Sequence, residues 1–182
     1  LGDINSHLLG LIVVGKLLMA ALSRGDMPEK DRKDFYLYID EFQNVTTKSI
    51  ATILSEARKY RLDLIVAHQF IGQLEDDIKK AIFGNVGSMV SFRIGADDAE
   101  FMEQQFLPVF AAHDLMNIDN YNAYVRMLIN GQTSRPFNIR TFPTPYGNRA
   151  VAEAVKELSS MKYGVPRDDV ESQITARFGR KW

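Results

Sequence analysis

The chain has 182 residues, 46% of them hydrophobic and 25% charged, with a net formal charge of −1. A chain of this length buries about 70% of its unfolded surface, and these proportions exclude a disordered, collagenous or coiled-coil polypeptide. There is no cysteine, which excludes disulfides, thiolate zinc sites and cysteine nucleophiles and fits a reducing compartment.

In chain order, residues 4–24 read as a helix, with Asn5 or Ser6 as N-cap and Arg24-Gly25 at its end. It contains the longest apolar stretch, Leu8–Leu22, interrupted by Lys16. A membrane span needs about 20 apolar residues, so the expectation is a buried core helix, with no span in this chain. No basic n-region or small-residue cleavage site marks a signal peptide. The charged segment Asp26–Asp34 reads as a loop, and Phe35–Ile39 (FYLYI) as a buried strand whose Phe35, Tyr36 and Tyr38 belong to the core. Thr46/Thr47 to Tyr60 has helical spacing, Leu62–Ala67 is a second buried strand, and Gly72–Phe83 a further helix. Ser88–Arg93 is a third strand, followed by a helix at Asp97–Phe106.

Strands alternating with helices imply crossover units and a parallel sheet, and their continuous hydrophobicity implies burial on both faces. After residue 120 the pattern changes. Tyr121–Ile129, the turn Asn130-Gly131 and Arg135–Phe142 form a β-hairpin. Pro143–Gly147 is a stiff linker, followed by helices near Ala150–Met161 and Arg167–Phe178. The domain reading is therefore 1–142 for the α/β part and 143–182 for a linker and helical tail. Charge divides similarly: residues 1–120 carry 12 basic against 18 acidic side chains, or −6, and residues 121–182 carry 10 against 5, or +5. The basic part, with Arg126, Arg135, Arg140 and Arg149, is a candidate anion-binding face.

In an open α/β sheet, ligands bind beyond the carboxyl ends of the strands. Asp40-Glu41 follows the first strand, His68-Gln69 the second, and Arg93 ends the third. An apolar strand ending in Asp-Glu has the shape of a Walker B element. The aspartate there serves Mg²⁺ as a hard oxygen ligand, and the glutamate polarises a water against the γ-phosphate of ATP. Gln69 is placed to feel that phosphate through its amide. An arginine from a neighbouring subunit neutralises transition-state charge.

These segments (FYLYIDEFQN, then SEARKYRLDLIVAHQF, then NVGSMVSFRIGADDAEF) resemble the HerA–FtsK superfamily of hexameric DNA-pumping ATPases, above all the type IV secretion coupling proteins of the TraG/TraD kind. The likeness runs in order over residues 35–106 and returns in KYGVPRDDVESQI. It implies a RecA-like P-loop NTPase core, incomplete at its N-terminus, with ATP and Mg²⁺ as cofactors. Asp40 becomes the Mg²⁺-side acid, Glu41 the catalytic glutamate and Gln69 the sensor. Arg58 is the leading trans-acting arginine finger and Arg93 the second. For Arg58 an exposed charge on an amphipathic helix stays open as a reading, and for Arg93 a strand-end ion pair. The implied partners are DNA, contacted without sequence preference, further copies in a homo-hexamer, and secretion, relaxase or nuclease proteins. The implied location is cytoplasmic, at the inner face of the membrane if upstream segments anchor it.

One departure from the family is large. A P-loop needs Gly-x-x-x-x-Gly-Lys-Ser/Thr between a strand and a helix. The near-match Gly10–Leu17 lacks the hydroxyl for Mg²⁺ and has four bulky apolar residues where a phosphate cradle exposes backbone N–H groups. The expectation is that the phosphate loop precedes Leu1 and that the 182 residues alone do not hydrolyse ATP. His7, His68 and His113 have no metal-ligand spacing, and Asp76-Asp77 and Asp97-Asp98 suit helix N-termini. Two alternatives remain open: a non-catalytic oligomerisation or docking module on the same fold, and a HerA-type DNA end-processing helicase.

Overall fold

The computed structural model describes residues 3–45 and 56–178. The chain divides after Thr141 into two compact units. The first begins with helix α1 (Asp3–Leu22), continued by a 3₁₀ turn at Ser23–Asp26. Strand β1 (Phe35–Ile39) then pairs in parallel with β2 (Leu62–Val66), in the register Phe35↔Leu62 to Ile39↔Val66. Most of the helix expected between them lies outside the described residues, and its end is a 3₁₀ turn at Ala57–Tyr60.

Alternation along the two strands gives the sheet two unlike faces. Leu37, Ile39, Leu62, Leu64 and Val66 join a core with Val14, Leu18 and Ala21 of α1, and with Ile78 and Ile82 of α2 (Asp76–Asn85). On the opposite face Tyr36 and Tyr38 are 59% and 73% exposed, and Ile65 is exposed beside them. The expectation that Phe35, Tyr36 and Tyr38 are core is therefore corrected: all three are exposed. Among the described residues only one side of this sheet is covered. The same holds for α1. Val14, Leu18 and Ala21 are buried, whereas Leu8, Leu9, Ile12, Val13, Met19 and Leu22 are exposed, so the helix is a one-sided cover rather than a core helix buried all round. By length and composition it is also apolar enough to cross a membrane, a test that core helices pass as well. Gly10 lies inside α1, where a Cβ would come within 2.7 Å of Val45 Cγ1; the glycine lets the helix approach the turn after β1. The whole stretch Gly10–Leu17 is helical, so its backbone N–H groups face the preceding turn of the helix.

The helix expected from Gly72 starts later, at Asp76, after a separate 3₁₀ turn at Ile71–Gln73. Strand β3 (Met89–Ser91) also departs from expectation. It does not extend the parallel sheet but pairs antiparallel with β4 (Asn122–Arg126), which pairs antiparallel with β7 (Phe137–Arg140). Met89 and Ser91 are buried and Val90 between them exposed. That is the one-sided alternation of an antiparallel sheet, not the all-round burial of a central parallel strand. Helices α3 (Ala96–Phe106) and α4 (Ala112–Met116) close a second core of Ile71, Met89, Ala99, Met102, Phe106, Leu115 and Ile118. The hairpin tip is formed by β5 (Leu128–Ile129) and β6 (Gln132–Thr133). Asn130 and Gly131 between them have φ of 51° and 79°, the two left-handed residues of a type I′ turn, whose twist matches that of the flanking strands.

The second unit contains α5 (Arg149–Tyr163) and α6 (Arg167–Phe178). The Asn148 side chain caps α5 by accepting from Ala150 N and Val151 N at 3.0 and 3.3 Å. Neither helix has a buried residue.

Candidate active site

The carboxyl ends of β1 and β2 are joined beyond the ladder. Ala67 N donates to Ile39 O and Phe42 N to Ala67 O, both at 2.9 Å. Phe42 has no exposed surface and fixes the turn after β1 in the core. Between β1 and this anchor the chain must reverse sharply, and Glu41 does so at φ 47°, in the sparsely populated left-handed region. Asp40 is exposed at the strand tip, where its Oδ1 accepts the Glu41 N–H at 2.9 Å.

The Glu41 carboxylate is held through both oxygens. Gln69 Nε2 donates to Oε1 and Gln43 Nε2 to Oε2, each at 2.6 Å. These are short, charge-assisted contacts, and together they fix the plane of the carboxylate at the tip of a rigid strand. His68, beside Gln69, is half-buried. Burial lowers its pKa below the ordinary 6.5, outweighing the opposite pull of Asp98, a backbone hydrogen bond at Phe70, and Glu41. Asp98 itself accepts from Ile71 N at 3.1 Å and ties α3 to the turn that follows His68.

The structure thus brings Asp40, Glu41 and Gln69 together at one edge of one sheet, and it adds Gln43. A single glutamine in a loop carries no periodic or spacing signal; its place follows from the Glu41 reversal. Arg58 and Arg93 are elsewhere. Arg58 is exposed at the amino end of the strands, in an open pocket of about 730 Å³ with Tyr36, Asp34 and Asp63. Arg93 follows β3, in the other sheet, and its Nη2 donates to Asn120 Oδ1 at 3.3 Å.

Mg²⁺ takes one or two carboxylates and completes its shell with water and substrate phosphates. The donor set fits that habit: Asp40 offers a hard oxygen at the strand tip, and among the described residues no cluster of three His, Cys, Asp or Glu forms an all-protein cage.

Residues 34–105 match the family described as the TraM recognition site of TraD and TraG, a span that contains both parallel strands, the joined tips and Arg58. Over that span, less than half of the chain, it is similar to the TraG/TraD family. Among solved structures it is similar to the genome packaging NTPase B204 of Sulfolobus turreted icosahedral virus 2, whose structure is a complex with AMPPCP. The identity is 15% and the TM-score 0.52, over 74% of this chain and 63% of the packaging NTPase chain. At that identity the likeness is one of fold: mixed α/β, with a parallel sheet and flanking helices. The chain spans less than two thirds of that neighbour's length. No curated protein matches it.

Proposed function

We propose that this chain is part of an ATP-driven DNA translocase of the TraG/TraD kind, in which Glu41 polarises the water that attacks ATP. One observation carries the reading: a carboxylate at the tip of a parallel strand, held through both oxygens by amides and adjacent to an aspartate at the same tip. The water oxygen bonds to the γ-phosphorus, the bond to the β,γ-bridging oxygen breaks, and Glu41 receives the water proton. Gln69, within hydrogen-bond reach of Glu41, senses the γ-phosphate through its second amide hydrogen. Asp40 holds Mg²⁺, which neutralises phosphate charge when bound. Arg58, exposed at the far end of the sheet, reaches a neighbouring subunit's nucleotide in a homo-hexameric ring, and Arg93 is the second candidate. DNA is held mainly through phosphate, so its binding is sensitive to salt. A TraM-like protein is a further partner on this reading, since the matched family is described by that recognition.

The test uses the full-length protein that contains this chain, assayed for ATP turnover with and without DNA, beside the 182-residue piece. Expected are DNA-stimulated turnover in the long form and none in the short one. Glu41→Gln in the long form keeps ATP binding and lowers turnover by about 10²–10⁴-fold; unchanged turnover would overturn the assignment. Silence of the long form despite normal nucleotide binding points instead to an assembly module.

A further inference from the structure

Resting on the reading of Glu41 as the residue that polarises water, we propose that Gln43 is a positioning residue for hydrolysis. It grips Glu41 by the oxygen that Gln69 does not touch, so that the carboxylate keeps its aim when Gln69 engages the phosphate.

The two amides that hold Glu41 are unequal. Gln69 is exposed in the loop after β2, where a ligand can reach it. Gln43 is half-buried in a 3₁₀ turn, Phe42–Val45, directly after the fully buried Phe42. That turn is fixed on both sides: Phe42 N donates to Ala67 O, and Asn44 N donates to Glu41 O, both at 2.9 Å. A glutamate side chain has three rotatable bonds, and a single contact leaves its carboxylate free to swivel. Contacts to different oxygens from different elements remove that freedom, and Gln43 supplies the contact that a nucleotide does not disturb. The turn after β1 is thereby the fixed half of the grip, and the loop after β2 the half that answers to ligand. Pre-alignment of this kind acts on the chemical step rather than on substrate affinity.

The test is steady-state ATP turnover and binding of a fluorescent ATP analogue by the full-length protein carrying Gln43→Met or Gln43→Lys, with Glu41→Gln alongside. Methionine keeps the side-chain length and removes the donor; lysine restores a donor to the carboxylate. Expected is a fall in kcat of about 10- to 100-fold for Gln43→Met, the size of one hydrogen bond to a charged group. KM stays within about twofold, and Gln43→Lys recovers at least half of the loss on a logarithmic scale. Normal kcat in Gln43→Met beside an inactive Glu41→Gln overturns the inference and leaves the role of Glu41 standing. Normal kcat in both removes the underlying reading. Equal losses in Gln43→Met and Gln43→Lys, with weaker nucleotide binding and a lowered Tm, make Gln43 a structural residue and also overturn the inference.

Discussion

At the carboxyl ends of β1 and β2 two amide side chains converge on one acidic side chain, whereas at the amino ends two arginines donate to backbone carbonyls. The first arrangement gives Glu41 two amide donors and a buried anchor, Phe42. In the second, Arg24 Nη1 donates to the carbonyls of Lys33, Tyr60 and Arg61 at 2.9, 3.0 and 3.3 Å. Arg32 donates to Lys59 O at 2.6 Å and to Met27 O, and its guanidinium lies 5.7 Å from the centre of the Tyr60 ring. The arginines of that end therefore brace the Ala57–Tyr60 turn, and Arg58 on it, whose carbonyl accepts from Arg61 N at 3.1 Å, has an exposed side chain. One end aims a group within the chain; the other holds a cation outward on a braced turn. On the proposed reading, Glu41 is the base aimed in its own subunit and Arg58 the group presented to a neighbour.

The largest expected effect sharpens that contrast. In assembled rings, Arg58→Ala lowers ATP turnover by about 10³-fold or more, the scale of an arginine finger supplied in trans, while leaving nucleotide binding by the isolated subunit unchanged. Mixing wild-type and variant subunits and following turnover against their ratio checks it. A loss that appears equally in unassembled subunits breaks the comparison, because it puts Arg58 to work in its own subunit.

Phe42→Ala tests the anchored end. Truncation of a fully buried phenylalanine costs about 3–5 kcal/mol, and here it also releases the backbone that carries Glu41 and Gln43. Urea unfolding measures the loss. If stability falls by less than about 1 kcal/mol, the turn after β1 is not the anchor described above.

Much of this arrangement was legible in the sequence, and the exceptions share a cause. FYLYI followed by Asp-Glu, and LDLIVA followed by His-Gln, place polar side chains at the tips of two short apolar strands, and parallel pairing brings those tips together. Asn130-Gly131 announces its own turn. What apolar runs do not disclose is coverage. Tyr36, Tyr38 and one side of α1 have core-like composition and exposed surfaces, because periodicity shows that a face is apolar without showing what lies against it. Strand β3 misled for a related reason: three residues are too few for alternation to stand out, so its antiparallel partner across 30 residues of chain was hidden. Gln43 owes its place to a backbone reversal at a glutamate, a conformation for which glutamate has no preference.

His68 gives a smaller, pH-dependent effect at the carboxyl end. Its pKa is lowered by burial in the folded chain, against the pull of Asp98, the Phe70 backbone and Glu41. As pH falls below 6.5, the unfolded chain takes up a proton that the folded chain resists, so this histidine makes stability fall as pH falls and contributes nothing to the slope well above 6.5. His68→Asn should flatten stability between pH 7 and 5, measured by urea unfolding at each pH. An unchanged slope in the variant shows that His68 is not the group responsible.

The smallest effect belongs to the amino end and separates two opposing contributions at one residue. Arg61 pairs with Asp34 at 3.2 Å, with the side chains 44% and 47% exposed, so the pair is worth about 0–1 kcal/mol and weakens with salt. The same residue sits at φ 56°, a left-handed conformation that costs a non-glycine residue about 1–2 kcal/mol. Its carbonyl accepts from Phe35 N at 2.9 Å, so the conformation is imposed by the start of the ladder and survives loss of the side chain. Arg61→Ala therefore loses the ion pair and keeps the strain, lowering stability by up to about 1 kcal/mol. Arg61→Gly loses the pair and relieves the strain, and should be at least as stable as the parent. Urea unfolding of both variants at low and high salt reads the two contributions separately: the Ala deficit shrinks with salt, and the Gly-minus-Ala difference does not. A glycine variant no more stable than the alanine variant would mean that the turn relaxes once the side chain is gone, and that the amino end is held by the Asp34 contact rather than by its backbone.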